Sequence, residues 1–371
     1  MIREGKIGFT EGFALIFISY ISKIFLVEPS LQIETAKNMA WLLVLFGVLL
    51  TLVEFWIIVS LMKRHKNSTI IETSEELLGP YLGILCSLSF GLFFIVEEAI
   101  LIRRYAETLI MASLPETPIS VVMVILTLAA VISCYYGIEA MARVSRISLT
   151  FILLGIVVLF VAVTGYIHMT NFYPLWSVEL VKPLVEYLPR FIIFSEGLLA
   201  VVLFQTFGSW QNCRSAGLLA IACGGFIRLS LVVLLILTFG VEIATEKSLP
   251  FFNLSRLVSL GSFFQRAESV FLLTWAMVGF LKLALNMYAA TVILARIFRL
   301  PDYRPLIWVV SLLCFSLSII PKDLSAVIAL DVGFFKIWGI VPTIILPILL
   351  LLVSLIRKPG KKKELEPEPV K

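Results

Sequence analysis

The chain has 371 residues, of which 60% are hydrophobic and only 15% are charged, with a formal net charge of +5 and a mean hydropathy of +1.02. Soluble domains have roughly 25% charged residues, so this composition excludes an ordinary soluble protein. Apolar runs close to the ~20 residues that a helix needs to cross a bilayer recur along the chain, as in Trp41–Met62 and Ile337–Ile356. The sequence therefore predicts an all-α, polytopic membrane protein.

The apolar runs predict ten membrane spans, of which the third and the eighth are longer than a perpendicular crossing needs. The spans lie at about 8–27, 39–62, 81–111, 119–138, 147–167, 189–207, 216–240, 263–297, 305–320 and 334–356. The chain, 1–371, is then a single transmembrane domain. It ends in a tail at 357–371 that is too charged and too rich in proline to fold by itself. A short amphipathic element is expected at 63–83, after the second span.

The basic residues predict the orientation of the spans. An even number of spans puts both termini on one side of the membrane, and the connections on that side carry more than half of the 30 Lys and Arg residues. Cytoplasmic connections are enriched in these residues. We therefore expect both termini to lie in the cytoplasm.

Eight ionisable residues fall within the predicted spans, where a charge costs at least about 2.5–3.5 kcal/mol. They are Glu11, Lys23, Glu54, Glu97, Glu98, Glu196, Arg228 and Lys282. With Glu11 set aside near the cytoplasmic end, four acids stand against three bases, which favours paired charges around an internal cavity. Arg228 is expected to neutralise Glu54, Glu97 or Glu98.

The sixth span contains the polar sequence Ser195-Glu196-Gly197 within an apolar run. Ser and Gly tolerate an unwound turn, and Glu196 in such a turn could accept an amine or a proton. A broken helix at membrane depth is allowed only where it lines a cavity or is buried in protein. The alternative is an intact helix with one paired glutamate.

The eighth span has Glu268, Trp275 and Lys282 at intervals of seven residues, so these side chains share one helix face. Gly279 and Asn286 flank Lys282 on the same side. One interpretation is the wall of a hydrated cavity. The other is a seam between two helices, in which Gly279 allows close approach and Asn286 forms a hydrogen bond across the contact.

Enzyme chemistry finds little support in the sequence. The only histidines, His65 and His168, lie in connections, and no HExxH, nucleophile-elbow or phosphate-loop motif occurs. The five cysteines are scattered without a CxxC pair, which is typical of small buried apolar residues and not of a disulfide framework or a zinc site. We expect no enzyme activity, no metal or other cofactor and no nucleic-acid partner.

Several motifs together resemble those of the spore germinant receptor B-subunit family, within the amino acid–polyamine–organocation transporter superfamily. The resemblance begins at "LIRRYAETLIMASLPETPIS" (Leu101–Ser120), which contains Leu-Pro-x-Thr-Pro, and continues at "YYGIEAMARVSRI" (Tyr135–Ile147). It is strongest in "FFQRAESVFLLTWAMVGFLKLALNMYAAT" (Phe263–Thr291), and it extends over about residues 10–356.

The resemblance implies a LeuT-like fold of two inverted five-helix repeats, here 8–167 and 189–356, with the first and sixth helices broken near the midplane. It implies a subunit that binds an amino acid or a similar small nutrient and signals germination in the inner membrane of a spore. The expected partners are an A-type subunit and a lipoprotein C-type subunit. The ligand site would comprise the following residues: Ser22, Lys23, Ile24, Glu97, Ser195, Glu196, Gly197, Trp275, Lys282 and Asn286.

Lys23 departs from the pattern of that family. When Pro29-Ser30 is aligned with the usual Pro-Ser of the family, Ser22-Lys23-Ile24 lies where a break resembling Gly-Thr-Gly is common. In one interpretation the Lys23 ammonium replaces a coupling cation or pairs with the ligand carboxylate, and Lys282 lies nearby. In the other, Lys23 lies about one turn from the outer end of the span and extends its ammonium to the interface.

Two functions remain after these observations. The first is a sensing subunit of a spore germinant receptor. The second is a proton-coupled amino acid or amine permease that uses Glu196 or Glu97. Both need the same polar cavity, so the resemblance favours the first and the residues alone do not separate them.

Overall fold

The computed structural model describes residues 5–65, 68–174, 181–191, 196–257 and 267–357. These residues form helices joined by short turns, and no strand occurs among them. The α-helices are α1 (Phe9–Ile21), α2 (Glu28–Ala36), α3 (Ala40–Arg64), α4 (Ile70–Leu78), α5 (Pro80–Ser113), α6 (Ile119–Tyr136), α7 (Ile138–Val163), α8 (Val181–Phe191), α9 (Glu196–Val202), α10 (Trp210–Glu246), α11 (Pro250–Leu257), α12 (Ala267–Ile297), α13 (Arg304–Ser318), α14 (Leu324–Phe334) and α15 (Leu346–Ile356).

Seven stretches of helix among the described residues are long and apolar enough to cross a bilayer. They are Glu28–Arg64, Pro80–Ser113, Ile119–Tyr136, Ile138–Tyr166, Trp210–Glu246, Phe271–Ile297 and Leu324–Ile356. The helix Arg304–Ser318 is apolar but shorter. The prediction of a helical, multi-pass membrane protein is confirmed. The number of membrane crossings, ten, remains a prediction.

The first span is interrupted where the resemblance implies a break. Helix α1 ends at Ile21 and continues as a tighter 3-10 turn over Ser22–Phe25, before α2 begins at Glu28. The Ser22 hydroxyl donates to the Ser19 carbonyl at 2.7 Å. Pro29 occupies the first turn of α2, where its missing N–H is tolerated, but its ring prevents α1 from running on through this position. The break therefore forms without glycine.

The last span begins earlier and is less regular than its hydropathy predicts. Helix α14 begins at Leu324, where the Asp323 side chain accepts from the Ala326 N–H at 2.8 Å. Two π-helical segments, Phe335–Gly339 and Val341–Ile345, then lead into α15. The helical stretch that contains the last predicted span therefore begins at Leu324, before the predicted start at 334. Hydropathy misses the start because Asp323 and Asp331 interrupt the apolar run.

The connection predicted between the fourth and fifth spans is largely helical. Gly137 has φ +82°, in the left-handed region that glycine adopts without strain. One such residue turns the chain, so α6 ends at Tyr136 and α7 begins at once at Ile138. The predicted start of the fifth span at 147 is therefore wrong. The amphipathic element predicted after the second span is α4, whose first turn is closed by reciprocal hydrogen bonds between Thr69 and Glu72.

Helix α12 is the most deeply buried of the long apolar helices that the structure describes, and α5 packs along it. The two helices approach closely at Gly279. A β-carbon added at this position would lie only 2.6 Å from the Tyr105 ring. Tyr105 is itself buried. Gly279 therefore belongs to a helix–helix seam, as one of the two interpretations of the eighth span proposed.

We predict that Gly279→Ala destabilises the protein by about 1–3 kcal/mol, because the added methyl displaces a buried ring. The matched control is Gly333→Ala, since Gly333 is also helical and no atom would lie within 4 Å of its new β-carbon. That change should be neutral or stabilising by roughly 0.5–1 kcal/mol through helix propensity. Thermal unfolding in detergent measures both variants, and equal melting temperatures would contradict the predicted seam.

Candidate functional site

Four charged side chains from four separate elements meet at the break in the first span. Lys23 Nζ lies 2.9 Å from Glu97 Oε1, and Lys282 Nζ lies 3.2 Å from Glu196 Oε1. Lys282 Nζ also lies 3.8 Å from Glu97 Oε1, which joins the two pairs. We call these four residues, with Ser19 and Asn286, the central cluster.

Neutral side chains complete the central cluster. The Ser19 hydroxyl accepts from Lys282 Nζ at 3.1 Å and donates to Glu196 Oε1 at 3.3 Å. Asn286 Nδ2 donates to Glu97 Oε2 at 3.1 Å. Asn286 lies four residues after Lys282, so α12 presents both side chains from one face. Helices α1, α5, α9 and α12 are thus joined by polar contacts at a single point.

The central cluster is almost completely buried. Lys23 is 4% exposed, Glu97 and Glu196 are 1% exposed, and Lys282 is fully buried. Removing ions from water costs several kcal/mol each, and this cost is offset only where charges are paired and hydrogen-bonded. The two lysines and two glutamates balance to zero net charge, which makes their burial physically tolerable.

The environment of Lys23 excludes the interpretation in which its ammonium extends to the interface. The ammonium points to Glu97 and lies 5.2 Å from the centre of the Phe335 ring, in the π-helical part of the last span. The 3-10 turn places Lys23 there, and the Tyr105 hydroxyl donates to the Ser22 carbonyl at 3.3 Å in the same turn. Ile24 is 2% exposed and packs in the apolar core.

The sixth span enters the site through α9. Glu196 and Gly197 are the first residues of this helix, whereas Ser195 lies outside the described residues, as does the segment in which the break was expected. A β-carbon on Gly197 would lie 3.2 Å from Ile58 and 3.4 Å from Glu54 Oε1. Gly197 therefore allows α9 to pack closely on α3.

Trp275 lies two turns before Lys282 on α12 and packs against Tyr105. It is 2% exposed, and its ring centre lies 5.8 Å from that of Tyr105. Within the described part of the chain, Trp275 Nε1, Glu196 Oε2 and Asn286 Oδ1 have no hydrogen-bond partner. Buried polar atoms without a partner are uncommon in proteins. One donor and two acceptors at the site are thus available to a polar ligand.

A second ionic group, the Arg104 cluster, was missed by the sequence analysis. Arg104 Nη1 lies 2.5 Å from Asp331 Oδ2, and Arg104 Nη2 lies 4.0 Å from Glu28 Oε2. The Tyr187 hydroxyl donates to Glu28 Oε1. These contacts join α2, α5, α8 and α14. Arg104 follows Glu97 by seven residues on α5, so it extends the same helix face, and that spacing is the signal that could have revealed it.

Three further intramembrane charges predicted from the sequence are Glu11, Glu98 and Arg228. The guanidinium of Arg228 lies 5.2 Å from the centre of the Tyr20 ring, and Glu11 pairs with Arg146 at 2.8 Å. Glu98 is fully buried, and neither of its oxygens has a hydrogen-bond partner among the described residues. No group of three or more His, Cys, Asp or Glu side chains within the described ranges could hold a metal ion.

The fold is that of a helical, multi-pass membrane protein with a buried ionic cluster at a helix break. The chain is similar to crystal structures of two mutants of the manganese transporter of Eremococcus coleocola, with a TM-score of 0.56 and 14% sequence identity. Each match covers 94% of this chain and 85% of that chain. At 14% identity this likeness concerns the fold alone.

The chain belongs to the family of spore germination proteins, whose sequence profile matches residues 6–327. It is 24% identical over 303 residues to spore germination protein KB of Bacillus subtilis (strain 168), covering 80% of each chain. It is 26% identical over 263 residues to the putative spore germination protein YfkT of the same organism, covering 70% of this chain and 71% of that one. The resemblance inferred from the motifs is confirmed.

Proposed function

We propose that this chain is the transporter-like membrane subunit of a spore germinant receptor and that it binds a small nutrient, an amino acid, at the central cluster. The observation that carries this proposal is an almost completely buried, charge-balanced group at a helix break. Two acceptor atoms of this group, Glu196 Oε2 and Asn286 Oδ1, and the donor Trp275 Nε1 lack partners within the described residues. A zwitterion adds no net charge to such a site. Membership of the spore germination family supports the role in germination.

The chemistry of an amino acid matches the available atoms. Its ammonium can donate to Glu196 Oε2 and Asn286 Oδ1, which are acceptors without partners among the described residues. Its carboxylate can accept from Trp275 Nε1 and interact with the Lys23 ammonium. Lys23 then supplies at the helix break the positive charge that a bound cation would otherwise provide. Ligand contacts of this kind are charge-assisted and therefore strong.

The architecture and location follow the same proposal. Residues 8–167 and 189–356 form two inverted repeats of five helices each, with the central cluster between them. Both termini face the cytoplasm, since the basic connections lie on their side, and the tail at 357–371 follows the last span there. The membrane is the inner membrane of the spore, and an A-type and a lipoprotein C-type subunit receive the signal.

A proton-coupled permease is the second candidate, and Glu98 favours it. This glutamate is fully buried beside Glu97, and both of its oxygens lack hydrogen-bond partners among the described residues. A buried carboxyl group without a partner is more stable in its neutral form, so Glu98 can hold a proton next to the ligand site. Net transport would use that proton.

We predict that an amino acid stabilises the purified protein in a thermal-shift screen that also includes sugars and nucleosides. A ligand at 100 times its Kd adds about 2.7 kcal/mol of stability. Glu196→Gln and Lys23→Met should abolish the shift, because each removes a charge that faces the ligand. Lys322→Met is the matched control, since the Lys322 side chain is exposed, and it should respond like the wild type.

Three outcomes decide between the alternatives. A shift with nucleosides or sugars and none with amino acids would contradict the ligand class. An unchanged shift in Glu196→Gln would place the ligand elsewhere. Uptake of the labelled amino acid into liposomes, abolished by Glu196→Gln, would establish a permease, whereas binding without uptake supports the sensing subunit.

A further inference from the structure

A cavity of about 240 Å³ lies between α3 and the last span, outside the central cluster. Helix α3 contributes one stripe of side chains, the last span contributes another, and α8 contributes Leu188. We call this cavity the α3–α15 groove. The residues that line it are Leu50, Val53, Glu54, Ile57, Leu188, Thr343, Ile344, Pro347 and Ile348. All of them are apolar except Glu54 and Thr343.

Glu54 is the one ionisable residue among those that line the groove. Its side chain is only 8% exposed, and its Oε1 has no hydrogen-bond partner among the described residues. The Glu54 Oε1 atom faces Gly197 of α9, which has no side chain that could donate a hydrogen bond. The nearest charged residue of α9 is Glu196, another acid. The groove therefore contains a buried carboxyl group whose natural complement is a cation.

The rim of the groove consists of exposed apolar side chains. Val53 is 55% exposed, Leu188 is 41% exposed and Ile348 is 37% exposed. Glu54 lies near the middle of α3, which has 25 residues and spans the hydrocarbon layer. The groove therefore opens toward the acyl chains of the bilayer, and a molecule that partitions into the bilayer can reach it.

We propose that the α3–α15 groove binds a small amphiphilic primary amine, with its ammonium on Glu54 and its alkyl chain between α3 and the last span. A cavity of about 240 Å³ suits one short alkyl chain and is too small for a helix of another protein. The apolar stripes match the alkyl chain. The Glu54 carboxyl group, once it has passed its proton to the amine, matches the resulting ammonium through a charge-assisted hydrogen bond. An ordinary acyl chain would satisfy the stripes and leave Glu54 without a partner.

The test is photoaffinity labelling of the full-length protein in phosphatidylcholine nanodiscs. The probe is an eight-carbon alkylamine that carries a diazirine, and its control is the alkyl alcohol of the same length with the same diazirine. Mass spectrometry then maps the labelled peptides. We expect the amine to label the peptides that contain Leu50–Ile57 and Thr343–Ile348 about tenfold more than the alcohol does, the factor of one charge-assisted hydrogen bond.

Two variants separate the role of Glu54 from a general effect of buried acids. Glu54→Gln should reduce labelling by the amine to the level of the alcohol. Glu98→Gln also removes a buried carboxyl group within a span but does not line the groove, and it should label like the wild type. Lys23→Met should also retain labelling of the groove by the amine. The result for the groove is therefore independent of whether the central cluster binds a nutrient.

Equal labelling by amine and alcohol in the wild type would overturn the proposal and indicate a groove for acyl chains only. A preference for the amine that survives Glu54→Gln would overturn it as well. If Glu54→Gln does not fold, competition in the wild type decides. Unlabelled octylamine must then displace the probe while octanol does not, and displacement by both would contradict the proposal.

Discussion

Replacing Lys282 with methionine is expected to destabilise the protein by about 3–5 kcal/mol, because it leaves a buried glutamate without its base. Lys282 is fully buried and contacts both Glu196 and Glu97. In the variant, Glu97 still contacts Lys23 and Asn286. Glu196 loses its ion pair with Lys282 and is therefore the acid that is most destabilised. The measurement is thermal unfolding in detergent, with the melting temperature well below that of the wild type.

The charge explanation is tested by a second change. In the double variant Lys282→Met/Glu196→Gln, the uncompensated acid is gone, so part of the lost stability should return although one more polar contact has been removed. Lys322→Met is the control for loss of a lysine at an exposed position and should melt like the wild type. If the double variant is less stable than Lys282→Met, the charge balance of the central cluster does not explain the stability of the protein.

Replacing Arg104 with methionine is expected to have the second large effect, also about 3–5 kcal/mol. It leaves Asp331 and Glu28 as two buried acids without the guanidinium that lies between them. It also removes the polar link of α5 to α2 and α14. Thermal unfolding in detergent measures the loss, and Arg104→Met/Asp331→Asn should recover part of it.

Arg103 provides the matched control for this variant. It is the preceding residue on α5 and is also buried, but its partners are Glu107 at 2.7 Å and the Lys322 carbonyl at 2.8 Å. The Glu107 side chain is 16% exposed, so water can replace part of the lost contact. Arg103→Met should therefore cost less than Arg104→Met. The reverse order would contradict the central position of Arg104 among the buried acids.

The two ionic groups share α5 as a common support. Glu97 and Arg104 lie two turns apart on one face of this helix, one in the central cluster and the other in the Arg104 cluster. Lys23 and Glu28 lie on either side of the end of the 3-10 turn in the first span. A movement of the chain after this turn relative to α5 would therefore change both groups together, which links the central cluster to the Arg104 cluster.

Hydropathy and charge predicted the class of protein and the residues that are unusual in it. Lys282 and Asn286 share a helix face by their spacing alone, and the structure brings both to Glu97. The balance of acids and bases likewise predicted paired charges. Such properties are local, since they depend on helix periodicity and on the free energy of placing a charge in an apolar medium.

Only the tertiary structure decided whether a charged residue within an apolar stretch pairs with a distant partner or extends to the membrane surface. Lys23 could equally have reached the interface until the position of Glu97 was known. Asp331 lies within an apolar stretch of the sequence, and only the approach of α5 supplies Arg104 as its partner. The physical reason is that a partner distant in the sequence determines whether a buried charge is tolerated, and neither hydropathy nor periodicity encodes which helices are neighbours.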